Sequence, residues 1–272
     1  MAGRTINFVI KPLSFLEHLK FKEKDELLKR PLLYKLEIEK EFHAYLQSQF
    51  IETIEMDSLE EKKYYLNSII KKIIFEDLTT LFNLNNPQIL YQIVQYIGQN
   101  PGVIINNLHL SSELKISNKT ISLYLSYLED SLLIKKLYNF SRNLLTSQRK
   151  LKKYYLASPS LSLAITDFVD YGKIFENYFI SQNDWHYFYR DSLKHEVDFV
   201  TVDKKRNIIP IEIKFKKEVK KEDFKNLIIF MNKYRLNKAY VFYYQLNKKI
   251  TKIKNKQLIL LPYFNLKAED FF

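Results

Sequence analysis

Two short apolar runs decide how this chain reads: Glu196-Val197-Asp198-Phe199-Val200 and, after a turn at Lys204 to Asn207, Pro210-Ile211-Glu212-Ile213-Lys214-Phe215. Both are rich in Val, Ile and Phe, the composition of strands. Side chains alternate along a strand, so Glu212 and Lys214 project from one face while Ile211, Ile213 and Phe215 project from the other. Paired as a hairpin, the runs bring Asp198 beside Glu212. An acid set into an apolar strand is costly to bury unless something satisfies it. Two carboxylates on adjacent strands suit Mg²⁺, which prefers oxygen ligands and keeps several waters. Such a metal site, held by Asp198 and Glu212, polarises a phosphoryl oxygen and lowers the pKa of bound water; Lys214 orients that water or offsets transition-state charge. Glu176, on the preceding helix, supplies a further acid. The alternative is a surface hairpin with a cross-strand Glu/Lys pair and no metal.

Working outward, the periodicity predicts a helix over Asp167–Gln182 with Phe168, Ile174, Phe175, Tyr178 and Phe179 on its apolar side. Strands follow at Trp185–Arg190, Val197–Val202 and Ile208–Phe215, then a helix over Glu222–Lys233 and strands at Ala239–Tyr244 and Leu258–Leu261. This order makes residues 159–272 an α/β domain with a small mixed sheet flanked by helices. Upstream, Pro87 opens a helix that ends near Gly98–Gly102. A short helix over Leu108–Leu114 and a third over Asn118–Glu129, with Ser117 as its N-cap, come next. A basic strand at Lys135–Phe140 begins a strand pair. Three helices with a tight turn before the third, then a basic strand pair, make 87–158 a winged helix-turn-helix. In that reading Asn118, Lys119 and Ser122 point outward toward DNA, with Thr120 alongside. A helical bundle without a DNA role, or a winged helix used for protein contacts, is the alternative.

Residues 32–86 read as a mostly helical region. Before them, Ile6, Phe8 and Ile10 alternate as a strand, and Ser14 with Glu17 three residues on has capping-box spacing. Residues 1–31 therefore look like an edge segment or a domain cut short. The fold expected is α+β and multidomain.

The chain carries 43 Lys plus Arg against 31 Asp plus Glu, a net charge of +12. The excess is local. Residues 131–166 hold seven basic residues and no acid, and residues 224–267 hold ten and no acid, leaving 26 basic against 31 acidic residues elsewhere. Two such stretches are the electrostatic footprint expected of a polyanion partner, although surface lysines also serve solubility alone. Lys135, Lys136, Arg142, Lys150, Lys152 and Lys153 are the residues expected to hold a phosphate backbone. With no Cys there is no thiolate catalysis or Cys-ligated zinc, as expected of a cytoplasmic protein. No His cluster has zinc spacing; His195, just before Glu196-Val197-Asp198, is a candidate to border the site, the alternative being an ordinary surface or core histidine. Four glycines and no Gly-Lys-Ser/Thr exclude a Walker-type loop. No apolar run approaches the ~18 residues needed to cross a bilayer, so no membrane partner is expected.

Asp198, thirteen residues, Glu212-x-Lys214, with a helical Glu176 upstream, resembles the motif of the PD-(D/E)XK nuclease superfamily, which implies a restriction-endonuclease-like domain. Nearly the whole chain resembles the C-terminal part of a prokaryotic AAA+ type ATPase family. The likeness runs through Gly3-Arg4-Thr5, Pro12-Leu13-Ser14-Phe15-Leu16-Glu17, Ile116-Ser117-Asn118-Lys119-Thr120, Phe175-Glu176-Asn177, Tyr189-Arg190-Asp191, the two strands and Leu261-Pro262-Tyr263-Phe264. In that family a Gly-Gly-Phe-Pro stands roughly where this chain has Gln47-Ser48-Gln49-Phe50, and an ATPase core precedes the Gly-Arg segment, where this chain starts. The resemblance then implies no ATP binding by this chain alone, and either a truncated relative or a separate chain that supplies the ATPase core. The expectation is a DNA-binding protein with a nuclease-like domain that cleaves a phosphodiester with Mg²⁺. The alternative is an inactive DNA-binding or assembly module that docks on an ATPase chain or a second copy.

Overall fold

A computed structural model describes residues 9–168 and 170–264. Gly3-Arg4-Thr5 and most of the expected first strand lie outside the described residues, and Val9 and Ile10 are exposed with no strand pairing.

Helices α1 (Phe15–Phe21) and α2 (Lys35–Leu46) come first. Ser14 and Glu17 close the predicted capping box: the Glu17 N–H donates to Ser14 Oγ, and the Ser14 N–H donates to Glu17 Oε2. Then come α3 (Ile51–Ile54), α4 (Leu59–Lys72) and α5 (Thr79–Phe82), the last two joined by a π-helical turn, and α6 (Pro87–Gln99). Strand β1 (Val103–Ile105) precedes α7 (Asn107–Leu114) and α8 (Asn118–Asp130). Strands β2 (Ile134–Asn139) and β3 (Lys152–Leu156) flank the short α9 (Leu144–Arg149), and α10 (Pro159–Ile165) follows. The C-terminal part contains α11 (Tyr171–Gln182), β4 (Tyr187–Arg190), β5 (Glu196–Val202), β6 (Ile208–Lys214), α12 (Lys225–Tyr234), β7 (Lys238–Tyr243), β8 (Lys249–Ile253) and β9 (Lys256–Pro262). The fold is α+β, helical at its N-terminal side with a mixed sheet toward the C-terminus. No helix among the described residues is long and apolar enough to cross a membrane.

Among the described residues, nine strands form one sheet in the order β1-β3-β2-β4-β5-β6-β7-β9-β8. The basic strand pair therefore does not stand apart from the later sheet. β2 runs parallel to β4, with Tyr138 level with Tyr187. Asn139 reinforces the join: its Nδ2 donates to the Arg190 carbonyl at 2.7 Å and its Oδ1 accepts from the Arg190 N–H at 3.1 Å. Both edges are protected. β1 is three residues long, and β8 carries Lys249 and Lys252, charges that discourage pairing with another chain.

Three apolar cores follow from strand alternation. Tyr240, Phe242, Ile259 and Leu261 face one side of the sheet, where Phe15, Phe42 and Tyr45 from α1 and α2 meet Phe175, Tyr178 and Phe179 from α11. Ala239, Val241, Leu258 and Leu260 face the other side, against Leu227, Phe230 and Met231 of α12. The third core joins α4 through α8 and α10 to Tyr154 and Leu156 of β3. The helices of 32–86 thus divide: α2 covers the C-terminal sheet, whereas α4 packs on α10 and shares its core with α6.

Two sequence expectations need correcting. The helix expected from Asp167 begins at Tyr171 because Asp170 caps it, accepting from the Gly172 and Lys173 N–H groups, and Phe168 is exposed rather than part of an apolar stripe. The C-terminal sheet also gains β8, a strand that the alternation rule overlooks because Lys249, Thr251 and Lys252 are polar and Ile250 is itself exposed.

Candidate active site

The β5–β6 ladder ends with Phe199 opposite Ile211, and just beyond it the Asp198 carboxylate reaches the backbone of β6 next to Glu212. On its other side β5 is irregular. Tyr187 pairs with Val200 and Tyr189 with Val197, so β5 takes three steps where β4 takes two. The extra residue falls at Asp198–Phe199, a β-bulge of the kind that re-aims side chains. Its effect is visible in the packing, because Val197 and Val200 both enter the α12 core while Phe199 enters the core under α11.

Glu176, Asp198 and Glu212 are all buried, each less than a tenth exposed. Asp198 Oδ2 accepts the Ile213 N–H at 2.8 Å. Glu212 Oε1 takes the Lys214 ammonium at 2.7 Å, and its Oε2 is buried with no hydrogen-bond partner. Glu176, held inward by the packing of α11, accepts from Lys173 at 2.6 Å, Lys153 at 3.1 Å and the Tyr155 hydroxyl at 2.9 Å. Glu196 completes the cluster, with Lys153 at 2.8 Å on one oxygen and Arg190 at 3.3 Å on the other.

These contacts drive the acids apart in acidity. Burial pushes the Glu212 carboxyl up to about 8; the negative charge of Asp198 adds to this, and Lys214 offsets only part of it. Burial and the Glu176 charge push Asp198 up to about 6, against the pull of Lys153 and Lys214. Burial pushes Glu176 upward too, but the Lys153 and Lys173 ammonium groups overcome it and bring its carboxyl down to about 2. The cluster thus contains one firmly ionised acid and two that hold protons more tightly than usual. Such a spread is characteristic of functional sites, though structural ion networks also produce it.

The residues suit a hard divalent cation in one respect. An acceptor oxygen enclosed without a donor, as Glu212 Oε2 is, becomes satisfied when protonated or when it faces a cation, and Asp198 stands opposite. Two carboxylates plus waters is a sufficient set for Mg²⁺. Among the described residues, no group of three or more His, Cys, Asp and Glu side chains is arranged to hold a metal. Lysines stand among the acids instead.

The residues expected to face DNA are distributed unevenly. Asn118 opens α8 behind its Ser117 cap, and Asn118, Lys119 and Ser122 are exposed. Ser122 accepts from Asn107 of α7 at 2.9 Å, which ties the two helices together. Arg142 lies over the Tyr234 ring and Lys150 is exposed, whereas Lys152 is half-buried and Lys136 pairs with Glu129. Lys135 turns inward and donates to the Ile180 and Ser181 carbonyls at the end of α11, and burial lowers its pKa to about 8. Lys153 sits inside the carboxylate cluster and not on the phosphate-facing surface. His195 binds Asp191 at 2.9 Å, beside the cluster's Glu196 in sequence but outside its contacts.

Residues 171–264 match a family model described as a domain of unknown function, DUF4143, and residues 39–171 match another, DUF8612, also of unknown function. The two meet at Tyr171, the first residue of α11. An uncharacterized protein of Methanocaldococcus jannaschii is similar over 224 residues at 26% identity, covering 78% of this chain and 50% of its own. The chain therefore spans half the length of that relative. A crystal structure of a MepR mutant from a multidrug-resistant S. aureus clinical isolate aligns with 39% of this chain and 75% of its own, at 18% identity and a TM-score of 0.23. A likeness of that size bears on neither fold nor function.

Proposed function

We propose that this chain is a cytoplasmic DNA-binding protein whose C-terminal part is a PD-(D/E)XK nuclease-like domain, with a winged helix-turn-helix formed by α6–α8 and the β2–β3 hairpin. The observation that carries the proposal is the buried Glu212 carboxyl, one oxygen unpartnered, on the strand whose Ile213 N–H is held by Asp198 of its neighbour. Asp198 and Glu212 are the residues that would hold Mg²⁺. When bound, such an ion supplies Lewis acidity to a phosphoryl oxygen and makes its water more acidic. Lys214 holds a proton and a positive charge beside Glu212, where it can orient a nucleophilic water or offset charge on the phosphoryl group. Glu176 stays ionised beneath them. Asn118, Lys119 and Ser122 engage the duplex from α8, and Arg142, Lys150 and Lys152 engage phosphates.

The test is cleavage of duplex, single-stranded and branched DNA with Mg²⁺ or Mn²⁺. Cleavage that disappears in Asp198→Ala and Glu212→Ala supports the reading; cleavage that survives both ends it. A second reading is favoured by the lysines among the acids: a catalytically silent DNA-binding or assembly module that works with an ATPase chain or another copy. It predicts no cleavage with any metal, but DNA affinity that falls with salt at a log–log slope of about −0.9 per phosphate contact. A slope near zero leaves protein assembly alone.

A further inference from the structure

Lys153 belongs to β3, in the N-terminal part of the sheet, yet its side chain is 1% exposed and its ammonium lies among C-terminal acids. Alternation explains the reach. Tyr154 and Leu156 point into the helical core, so Lys153 and Tyr155 point the opposite way, toward α11. There Lys153 bridges Glu176 and Glu196, which come from different elements, at 3.1 and 2.8 Å. Tyr155 donates to the same Glu176 oxygen that Lys153 contacts.

The seat for these side chains is built by a glycine. Gly102, in the turn between α6 and β1, has φ +79, and a Cβ there would come within 2.9 Å of Lys153 Cε and 2.9 Å of the Tyr155 hydroxyl. A left-handed backbone with no side chain lets the turn close over the lysine stem. The Gly102 N–H donates to the Tyr154 carbonyl, fixing that turn to β3. The lysine is therefore held by two glutamates at its ammonium and by the Gly102 turn along its stem.

We infer that Lys153 is the built-in counter-cation of the carboxylate cluster, a positioning residue through which the N-terminal part of the sheet sets how tightly the site takes a divalent cation. The inference rests on the divalent-ion reading of Asp198 and Glu212. An ammonium fixed between Glu176 and Glu196 neutralises charge that an arriving ion would otherwise meet and repels that ion directly. Lys173 and Arg190 remain as partners for the two glutamates when Lys153 is replaced, so loss of its charge leaves neither acid alone.

The experiment titrates Mn²⁺ into the full chain without DNA and follows the free ion by electron paramagnetic resonance. Lys153→Gln keeps a hydrogen-bond donor between the glutamates and removes the charge. It should bind Mn²⁺ at least about tenfold more tightly than the parent, the scale on which one nearby unit charge acts at a protein-like dielectric, whereas Lys153→Arg should stay near the parent value. A folded Lys153→Gln protein whose Mn²⁺ affinity matches the parent's overturns the inference, since a purely structural lysine would change the melting temperature alone. Should Lys153→Gln fail to fold, Glu196→Gln decides: with the lysine less compensated, Mn²⁺ must bind more weakly, and an unchanged affinity is equally fatal. A parent that never cleaves DNA sinks the nuclease reading and leaves this comparison of affinities standing.

Discussion

Around α8 and the β2–β3 hairpin, Lys119, Arg142 and Lys150 stand in water, while around β5 and β6, Lys153 and Lys214 are packed among acids. The same side chain does two different things in these regions. In water a lysine keeps its hydration, and an ion pair contributes roughly 0–1 kcal/mol. Inside the sheet it has given up that hydration, and its charge must be matched by carboxylates at hydrogen-bonding distance. Lys152 and Lys153, neighbours on β3, fall on opposite sides of this divide because a strand turns successive residues to opposite faces. The outer region is therefore built to exchange partners, and the inner one to keep them.

The largest expected effect breaks that comparison if it fails. Lys153→Ala takes one donor from each of two buried glutamates that keep Lys173 and Arg190, so it should cost about 2–3 kcal/mol in urea unfolding, whereas Lys152→Ala should stay within about 0.5 kcal/mol. Equal costs would mean that the inner cluster is as well solvated as the outer surface.

Acidity separates the regions next. Glu212 binds its proton more tightly folded than unfolded, its pKa rising from 4.5 to about 8, and Asp198 does so from 3.8 to about 6. Their contribution to stability is complete below the unfolded values and is lost as pH rises through the folded ones. Glu176 runs the other way, contributing above 4.5 and losing its contribution as pH falls through about 2. Stability should therefore decline between about pH 5 and 8, by about 1.4 kcal/mol per unit for each proton released. Glu212→Gln should flatten the upper part of that decline, and unfolding curves across pH would reveal a flat parent at once.

How much of this was legible in the residues depends on locality. Ser14, Ser117 and Pro87 mark helix starts through hydrogen bonds within one turn, and those starts are where the structure has them. Asp198 and Glu212 come close because one hairpin turn joins their strands and Asp198 holds the Ile213 N–H. The bulge at Asp198–Phe199 was hidden, since it depends on how β4 lies beside β5. The burial of Lys153 is hidden for a similar reason. A lysine next to Tyr154-Tyr155-Leu156 carries the same signal as an acid inside an apolar strand, but its acid partners lie 23 and 43 residues away and come near only through the packing of α11 on β3 and the pairing of β2 with β4. Lys135 likewise finds its carbonyl partners on a helix 45 residues on. The division of residues 32–86 between two cores was also invisible, because an apolar stripe states that a helix is covered without stating by what.

Smaller effects sharpen the outer half of the comparison. Ser117 Oγ accepts the Thr120 N–H at 3.0 Å and caps α8, so Ser117→Ala should cost about 1 kcal/mol. A loss below about 0.3 kcal/mol, within the usual range of surface substitutions, would show that packing alone sets the start of that helix.

The smallest change in stability carries the sharpest contrast in binding. Lys119 is exposed on α8, and Lys135 is engaged with the Ile180 and Ser181 carbonyls. If DNA meets this surface, Lys119→Ala should leave folding within about 0.5 kcal/mol of the parent and lower the magnitude of the salt slope of DNA binding by about 1, the loss of one phosphate contact. Lys135→Met should do the opposite, costing stability because two carbonyls lose their donor, while leaving the slope unchanged. Fluorescence anisotropy at several salt concentrations reads both variants on one duplex. A slope that responds to Lys135 and not to Lys119 would place the nucleic acid on another face of the sheet.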